Sequence, residues 1–366
     1  MRHRLWLATA AVCAALGVVS CAPLQPTPRP IPSRPGEVRG VWVSDTAQLD
    51  WDRATASLKR AGFNTMYVNF ATGGGAFYPE SRVLPDISGM SANEFERGIQ
   101  IAHKRGLAVH AKLLATFMFR SPSGFQRQMI AANRVMRSPD GKPLLQGGYG
   151  WLCPSQKANR DLMIACVREI VKRYPVDGVQ FDYIRFSEQP SCFCANCRRE
   201  FERWHGKLVK HWPDDVLNGP LTQRFIEWKQ HVINQWARDL SDAAHSVRPD
   251  TIVSAAVFQD LDRAREEKAQ DWKLWLERGW LNYACTMTYT TDLRDFENRV
   301  RKQQTWARRT QLVIGIASWK LASQAALLGQ INADRALGTH GFVLFSYDDA
   351  VERNFLPNMA TAGTAR

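Results

Sequence analysis

Short runs rich in Val, Ile, Leu and aromatic residues alternate along this chain with longer amphipathic stretches, eight times over. The runs are VRGVWVS at 38–44, TMYVNFA at 65–71, LAVHAKLLA at 107–115, VDGVQFDYIRF at 176–186, TIVSAAVF at 251–258, YACTMTY at 283–289, LVIGIASW at 312–319 and GFVLFSY at 341–347. Nearly continuous apolar character over so few residues predicts strands buried on both faces, as in a parallel sheet. Helices are predicted at 52–62, 94–106, 159–174, 222–247, 271–279, 293–308 and 324–337, the first two closed by Gly62 and Gly106 at positions suited to a helix C-cap. The long irregular segments, 117–158, 187–220 and the stretch before 271, follow strands and not helices. This pattern predicts an α/β chain folded as a (β/α)8 TIM barrel with long loops after strands 3, 4 and 5, because barrel loops of functional size gather at the C-terminal ends of the strands. An open doubly wound sheet would call for a glycine-rich phosphate turn after an early strand. The GGG of 73–75 lacks the required spacing.

The side chains at those strand ends are the candidate chemistry. In the fourth run Gln180 and Asp182 share one face and Val179 and Phe181 the other, so Asp182 is expected at the barrel rim. A carboxylate there is costly to bury unless it is paired, so Asp182 either forms a salt bridge to Arg185 or acts on a ligand, and the rim position favours the ligand. Asp45, Asn69, Lys112, Tyr183, Arg185, Gln259, Tyr289, Trp319, Tyr347, Asp348 and Asp349 are expected at the same mouth. Carboxylates, aromatic faces and amides converging on one opening suit sugars, whose rings stack and whose hydroxyls need many hydrogen bonds. Trp228, Trp236, Trp272 and Trp275 lie on predicted helices and are expected to pack. His110, on the same face as Lys112, is expected in the core.

RGVWV at 39–43, the DG…FDYIRF of 177–186, DW…WL at 271–276 and TMTY at 286–289 together resemble the glycosyl-hydrolase-like lipoproteins related to glycoside hydrolase family 10. The resemblance spans nearly the whole barrel. It implies an envelope location and action on a bacterial polysaccharide, with peptidoglycan glycan strands as the substrate. Glycoside hydrolysis ordinarily needs two carboxyl groups, roughly 5 to 5.5 Å apart for retention or 6.5 to 9.5 Å for inversion. Asp182 is the first. The seventh strand carries no Glu, a departure from the true family-10 xylanases. The second carboxyl must therefore come from Asp45, Asp348, Asp349, Glu266 or Glu267, with Asp45 and Asp348 preferred, although Asp just after a strand also commonly caps a helix. Arg185 can orient Asp182, and Lys112 can contact substrate. The competing expectation is a glycan-binding envelope lipoprotein whose barrel site has lost its chemistry.

The N-terminus changes the setting of this barrel. Arg2 and Arg4, an apolar run at 5–18 and small residues before Cys21 predict a secretory signal over 1–20. The cysteine after the small residue resembles a bacterial lipobox, which implies lipidation of Cys21, and Ala22 next to it implies an outer-membrane anchor facing the periplasm. APLQPTPRPIPSRPGE at 22–37 makes 21–37 a semi-rigid tether, leaving 38–352 as one barrel domain and 353–366 as a tail. The formal charge of +13 falls to +11 when Arg2 and Arg4 leave with the signal, which favours anionic polymers and head groups. No nucleic-acid partner is expected, since the basic residues are scattered and no recognition motif accompanies them. Cys192, Cys194 and Cys197 form a C-x-C-x-x-C cluster. In an exported protein they are expected to form disulfides, Cys153 among them. The alternatives are zinc held by the three, with Cys153 or His205 as fourth ligand, and free thiols. Cys166 and Cys285 are expected buried and reduced, and no other cofactor is expected.

Overall fold

The computed structural model describes residues 36–187, 191–347 and Leu356. The expected signal, Cys21, all but the end of the tether, Asp348 and Asp349, and the tail apart from Leu356 lie outside the described residues. Eight strands form the frame: β1 Val38–Val43, β2 Thr65–Thr72, β3 Ala108–Leu114, β4 Gly178–Asp182, β5 Ile252–Phe258, β6 Tyr283–Met287, β7 Leu312–Ile316 and β8 Gly341–Tyr347. Each pairs in parallel with the next, and β8 returns to β1, so the ring is closed. Closure leaves no sheet edge, and the expected (β/α)8 barrel is the observed fold.

Alternation along the strands sorts side chains into two layers. Outward residues such as Val41, Met66, Val109, Val179 and Ile314 join the main core beneath the surrounding helices. Inward residues Trp42, Tyr67, Ile252, Ala256, Tyr283, Cys285, Val313 and Val343 fill the lumen. Large lumen rings need small neighbours: a Cβ on Gly178 would lie 2.6 Å from the His110 ring, and one on Gly40 would lie 2.7 Å from the Tyr67 ring. Trp42, Gln180, Ser254 and Cys285 form one hydrogen-bonded chain across the lumen, and Tyr67 and Tyr283 form a second pair. Trp42 Nε1 donates to Gln180 Oε1 at 2.5 Å, and Gln180 Nε2 donates to Ser254 Oγ at 3.3 Å and Cys285 Sγ at 3.2 Å. The Tyr67 and Tyr283 hydroxyls meet at 2.9 Å. This layer is a rigid floor for whatever lies above it.

The structure departs from the sequence expectation in the loops. The insertion after β3 contains the helix Ser123–Ala131 and a small hairpin of Leu145–Gln146 with Tyr149–Gly150, and the insertion after β4 contains the helix Ala195–His205. The segment after β5, expected to be irregular, folds as the helix Leu261–Lys268. Its sequence is too polar to show an apolar face. It is specified by its cap, where Asp260 accepts from the Asp262 and Arg263 amides, and by the Arg263–Glu267 pair four residues apart. The fourth strand ends at Asp182 instead of continuing to 186, because Tyr183 turns into the left-handed region with φ of 52°.

Candidate active site

The C-terminal ends of the strands open into a cavity of about 430 Å³. Its wall is largely aromatic: Trp42 of β1, Tyr183 just after β4, Phe258 of β5, Tyr289 just after β6 and Phe345 of β8. Asp182, Arg185, Gln259, Asp260 and Arg263 supply the polar groups, with Ala256 and Met287 completing the lining. Volume and lining both fall in the range of small-ligand sites, apolar with a few placed polar groups.

Asp182 is the last residue of β4, and strand parity turns its side chain inward above Gln180. Its Oδ1 accepts from the Tyr183 amide at 2.7 Å, and its Oδ2 lies 3.7 Å from Lys112 Nζ. The two side chains are 14% and 3% exposed, so this is an ion pair largely out of water. Burial pushes the Lys112 ammonium below its usual pKa, and the negative charge of Asp182 works in the opposite direction. The cation facing Asp182 is thus Lys112 from the neighbouring strand, where the sequence had suggested Arg185.

The left-handed turn at Tyr183 costs on the order of 1–3 kcal/mol for a bulky residue and is held by its surroundings. Thr116 Oγ1 donates to Tyr183 O at 2.6 Å and to Arg185 O at 3.2 Å. The Tyr183 ring stacks on Phe117 at 5.1 Å and tilts against Trp151 at 5.2 Å. Arg185 then lies among three aromatic faces, its guanidinium carbon 4.6 Å from the Tyr183 centroid, 4.9 Å from Trp151 and 5.3 Å from Phe258. Such a cage fixes a long cation in one orientation.

Two further groups bear on ligand recognition. Burial, and after it the Asp182 charge, push the Tyr289 phenol well above its usual pKa, so it remains protonated at neutral pH. Gln259 Oε1 is buried and has no hydrogen-bond partner among the described residues, an acceptor that a ligand hydroxyl would satisfy. Asp260 is more committed. Burial opposes its charge, but hydrogen bonds from Lys302 at 2.7 Å and from the Arg263 amide hold its pKa below the usual range.

Of the residues expected at the mouth, Asp182, Tyr183, Arg185, Gln259 and Tyr289 line the cavity. Lys112 lies beneath it against Asp182. Asn69 is opposite Lys112 in register and donates to Ser44 O at 2.6 Å, below the lining. Asp45 is not in the lining: it receives two hydrogen bonds from Arg120, at 3.0 and 2.7 Å. Trp319 is 59% exposed beside Lys320, and Tyr347 ends β8 opposite Val43, both outside the lining. Glu266 is exposed and Glu267 pairs with Arg263. Sequence reasoning missed Trp42, Phe258, Asp260, Arg263 and Phe345. For the three aromatics the signal was available, since each falls on the inward parity of its strand close to the C-terminal end. The expected disulfides are also absent: no two of the six described cysteines are bonded, and Cys153 Sγ lies 3.5 Å from Cys197, 3.7 Å from Cys194 and 3.9 Å from Cys192.

Comparison with known proteins agrees with this barrel. Glycosyl hydrolase DigH of Escherichia coli K12 is 23% identical over 348 residues, covering 79% of this chain and 75% of that protein. The glycoside hydrolase domain of PgaB (BpsB) from Bordetella bronchiseptica superposes with a TM-score of 0.69 at 17% identity, over 90% of this chain and 98% of that one. Alpha-L-fucosidase isoenzyme 2 from Paenibacillus thiaminolyticus superposes with a TM-score of 0.63 at 16% identity, over 90% of this chain and 49% of that one. Residues 37–327, most of the barrel, match the family described as Glycosyl hydrolase-like 10, and the chain belongs to that family.

Proposed function

We propose that the protein hydrolyses glycosidic bonds in a bacterial cell-envelope polysaccharide, with peptidoglycan glycan strands as its substrate and Asp182 as the carboxylate that carries the chemistry. The observation behind this reading is the placement of Asp182 in the aromatic-walled cavity, fixed by the Tyr183 amide and by Lys112. A sugar ring has faces to stack on in Trp42, Tyr289 and Phe345, an acceptor in Gln259 Oε1 and a donor in the Tyr289 hydroxyl. Membership of a glycosyl-hydrolase-like family supports the reaction class, and the relative named a glycosyl hydrolase supports it further. The second carboxyl is assigned to Asp348 on sequence grounds, since Asp45 is committed to Arg120 and Asp260 to Lys302 and a helix cap. The basic mature chain suits an anionic wall, and a lipid on Cys21 would tether the barrel to the outer membrane facing the periplasm.

A second reading, a barrel that binds glycan without cleaving it, is favoured by one observation. Both Asp45 and Asp260, each two residues past the end of its strand, already serve as ion-pair partners. Product analysis separates the two. Peptidoglycan glycan strands and an unrelated neutral polysaccharide are incubated with the protein and the products resolved by mass spectrometry. Shortened strands from peptidoglycan alone are expected, while intact strands that co-sediment with the protein would replace hydrolysis by binding.

A further inference from the structure

Four cysteines from two loops converge behind the wall that carries Trp151 and Arg185. Cys153 follows Trp151 in the segment after β3, whereas Cys192, Cys194 and Cys197 belong to the segment after β4, with Cys194 at the N-cap of the helix Ala195–His205. All four are buried, and their sulfurs lie within 4.8 Å of one another. A disulfide brings two sulfurs to about 2.05 Å. Four thiolates placed tetrahedrally about 2.3 Å from a zinc ion instead stand about 3.8 Å apart on every edge. The separations from Cys153 are 3.5, 3.7 and 3.9 Å, the tetrahedral spacing.

The surroundings suit a cluster of negative sulfurs. The Arg137 amide donates to Cys192 Sγ at 3.1 Å, and the Cys197 amide donates to Cys194 Sγ at 3.4 Å. Ser155 Oγ accepts from Asn196 Nδ2 at 2.9 Å and lies 3.0 Å from Cys153 Sγ and 3.3 Å from Cys197 Sγ, so its own hydrogen is directed to sulfur. The ammonium of Lys229 is buried nearby and donates to Ser191 O, next to Cys192, at 3.2 Å. Four thiolates around a divalent ion carry a net charge of about −2. Amide and hydroxyl donors together with a buried cation are the outer shell that such a charge requires.

We propose that Cys153, Cys192, Cys194 and Cys197 bind one zinc ion in a closed tetrathiolate site. Binding displaces the thiol protons, and no position is left open for water, so the ion acts structurally and takes no part in hydrolysis. It joins the loop after β3 to the loop after β4, and thereby holds the neighbouring Trp151 and Tyr183 rings together against Arg185. The proposal is independent of the glycosidase reading.

The test is metal analysis of the full chain purified without chelator. About one zinc per chain is expected in the wild type and in Cys166→Ser, whose thiol lies by Tyr78 away from the cluster, with less than a tenth of that in Cys194→Ser. Should Cys194→Ser fail to fold, wild type refolded with cobalt(II) under reductant is expected to show the charge-transfer and d–d bands of a tetrahedral tetrathiolate, bleached by added zinc. An intact mass four hydrogens below the reduced chain, meaning two disulfides, would overturn the site. So would four titratable thiols in a folded protein that takes up neither zinc nor cobalt.

Discussion

Lys112 Nζ and Asp182 Oδ2 lie 3.7 Å apart across adjacent strands, the lysine fully inside the barrel and the aspartate at its mouth. The pair joins the rigid lumen to the cavity, and it constrains how either residue can be changed. Removing one member of a buried pair costs about 3–5 kcal/mol, because the other charge is left unpaired in a poor solvent for it. Asp182→Asn is therefore expected to lower the unfolding free energy by about that amount at neutral pH. Lys112→Met in the same chain is expected to restore most of it. Denaturant unfolding of the two single variants and the double variant checks this coupling, and additive losses would mean that the two side chains do not interact.

The candidates for the second carboxyl differ in what already holds them. Asp45 and Arg120 are each about a third exposed, so Asp45→Asn is expected to cost up to about 1 kcal/mol of stability and to change kcat by no more than severalfold. Asp348→Asn is expected to lower kcat by about 10²-fold or more, the scale of a lost acid or base. Steady-state kinetics on glycan strands decides between them. The opposite ranking would return the role to Asp45.

A buried acid at the other end of the barrel sets a pH dependence unconnected with catalysis. Asp334, on the helix Gln324–Leu337, is fully buried, accepts from Thr339 Oγ1 at 2.6 Å and has no partner for Oδ2 among the described residues. Burial raises its pKa to about 8, with Thr339 opposing the shift, Glu37 adding to it and Arg335 opposing it. The folded state thus binds a proton that the unfolded state releases. The contribution is fully present below the ordinary carboxyl value and is lost as pH rises from there towards about 8. Asp334→Asn removes this titration, so the stability difference between variant and wild type is expected to grow in the variant's favour between about pH 5 and pH 7.5, on the order of a few kcal/mol. Parallel stability curves would contradict it.

The barrel was legible because strands buried on both faces leave unbroken apolar runs, and all eight runs became strands. The loops were not, since their structure comes from contacts between distant positions. Nothing in the sequence around Asp45 points to Arg120, 75 residues further on. The helix Leu261–Lys268 rests on a cap and a charge pair that periodicity does not report. Lys112 and Asp182 were both singled out, yet their pairing follows only from the β3–β4 register, in which Lys112 stands opposite Gln180 and Asp182 opposite Leu114. The C-x-C-x-x-C spacing is equally compatible with disulfides and metal, and only the separation of the sulfurs distinguishes them.

The most direct measurement is the release of reducing ends from purified peptidoglycan glycan strands by wild type and by Asp182→Asn, with binding of the same strands followed in parallel. Sustained release by wild type and a drop of about 10²-fold or more in the variant, with strand binding retained, is the expected result. Equal release by both proteins, or binding by wild type with no release at all, would contradict a hydrolytic role for Asp182.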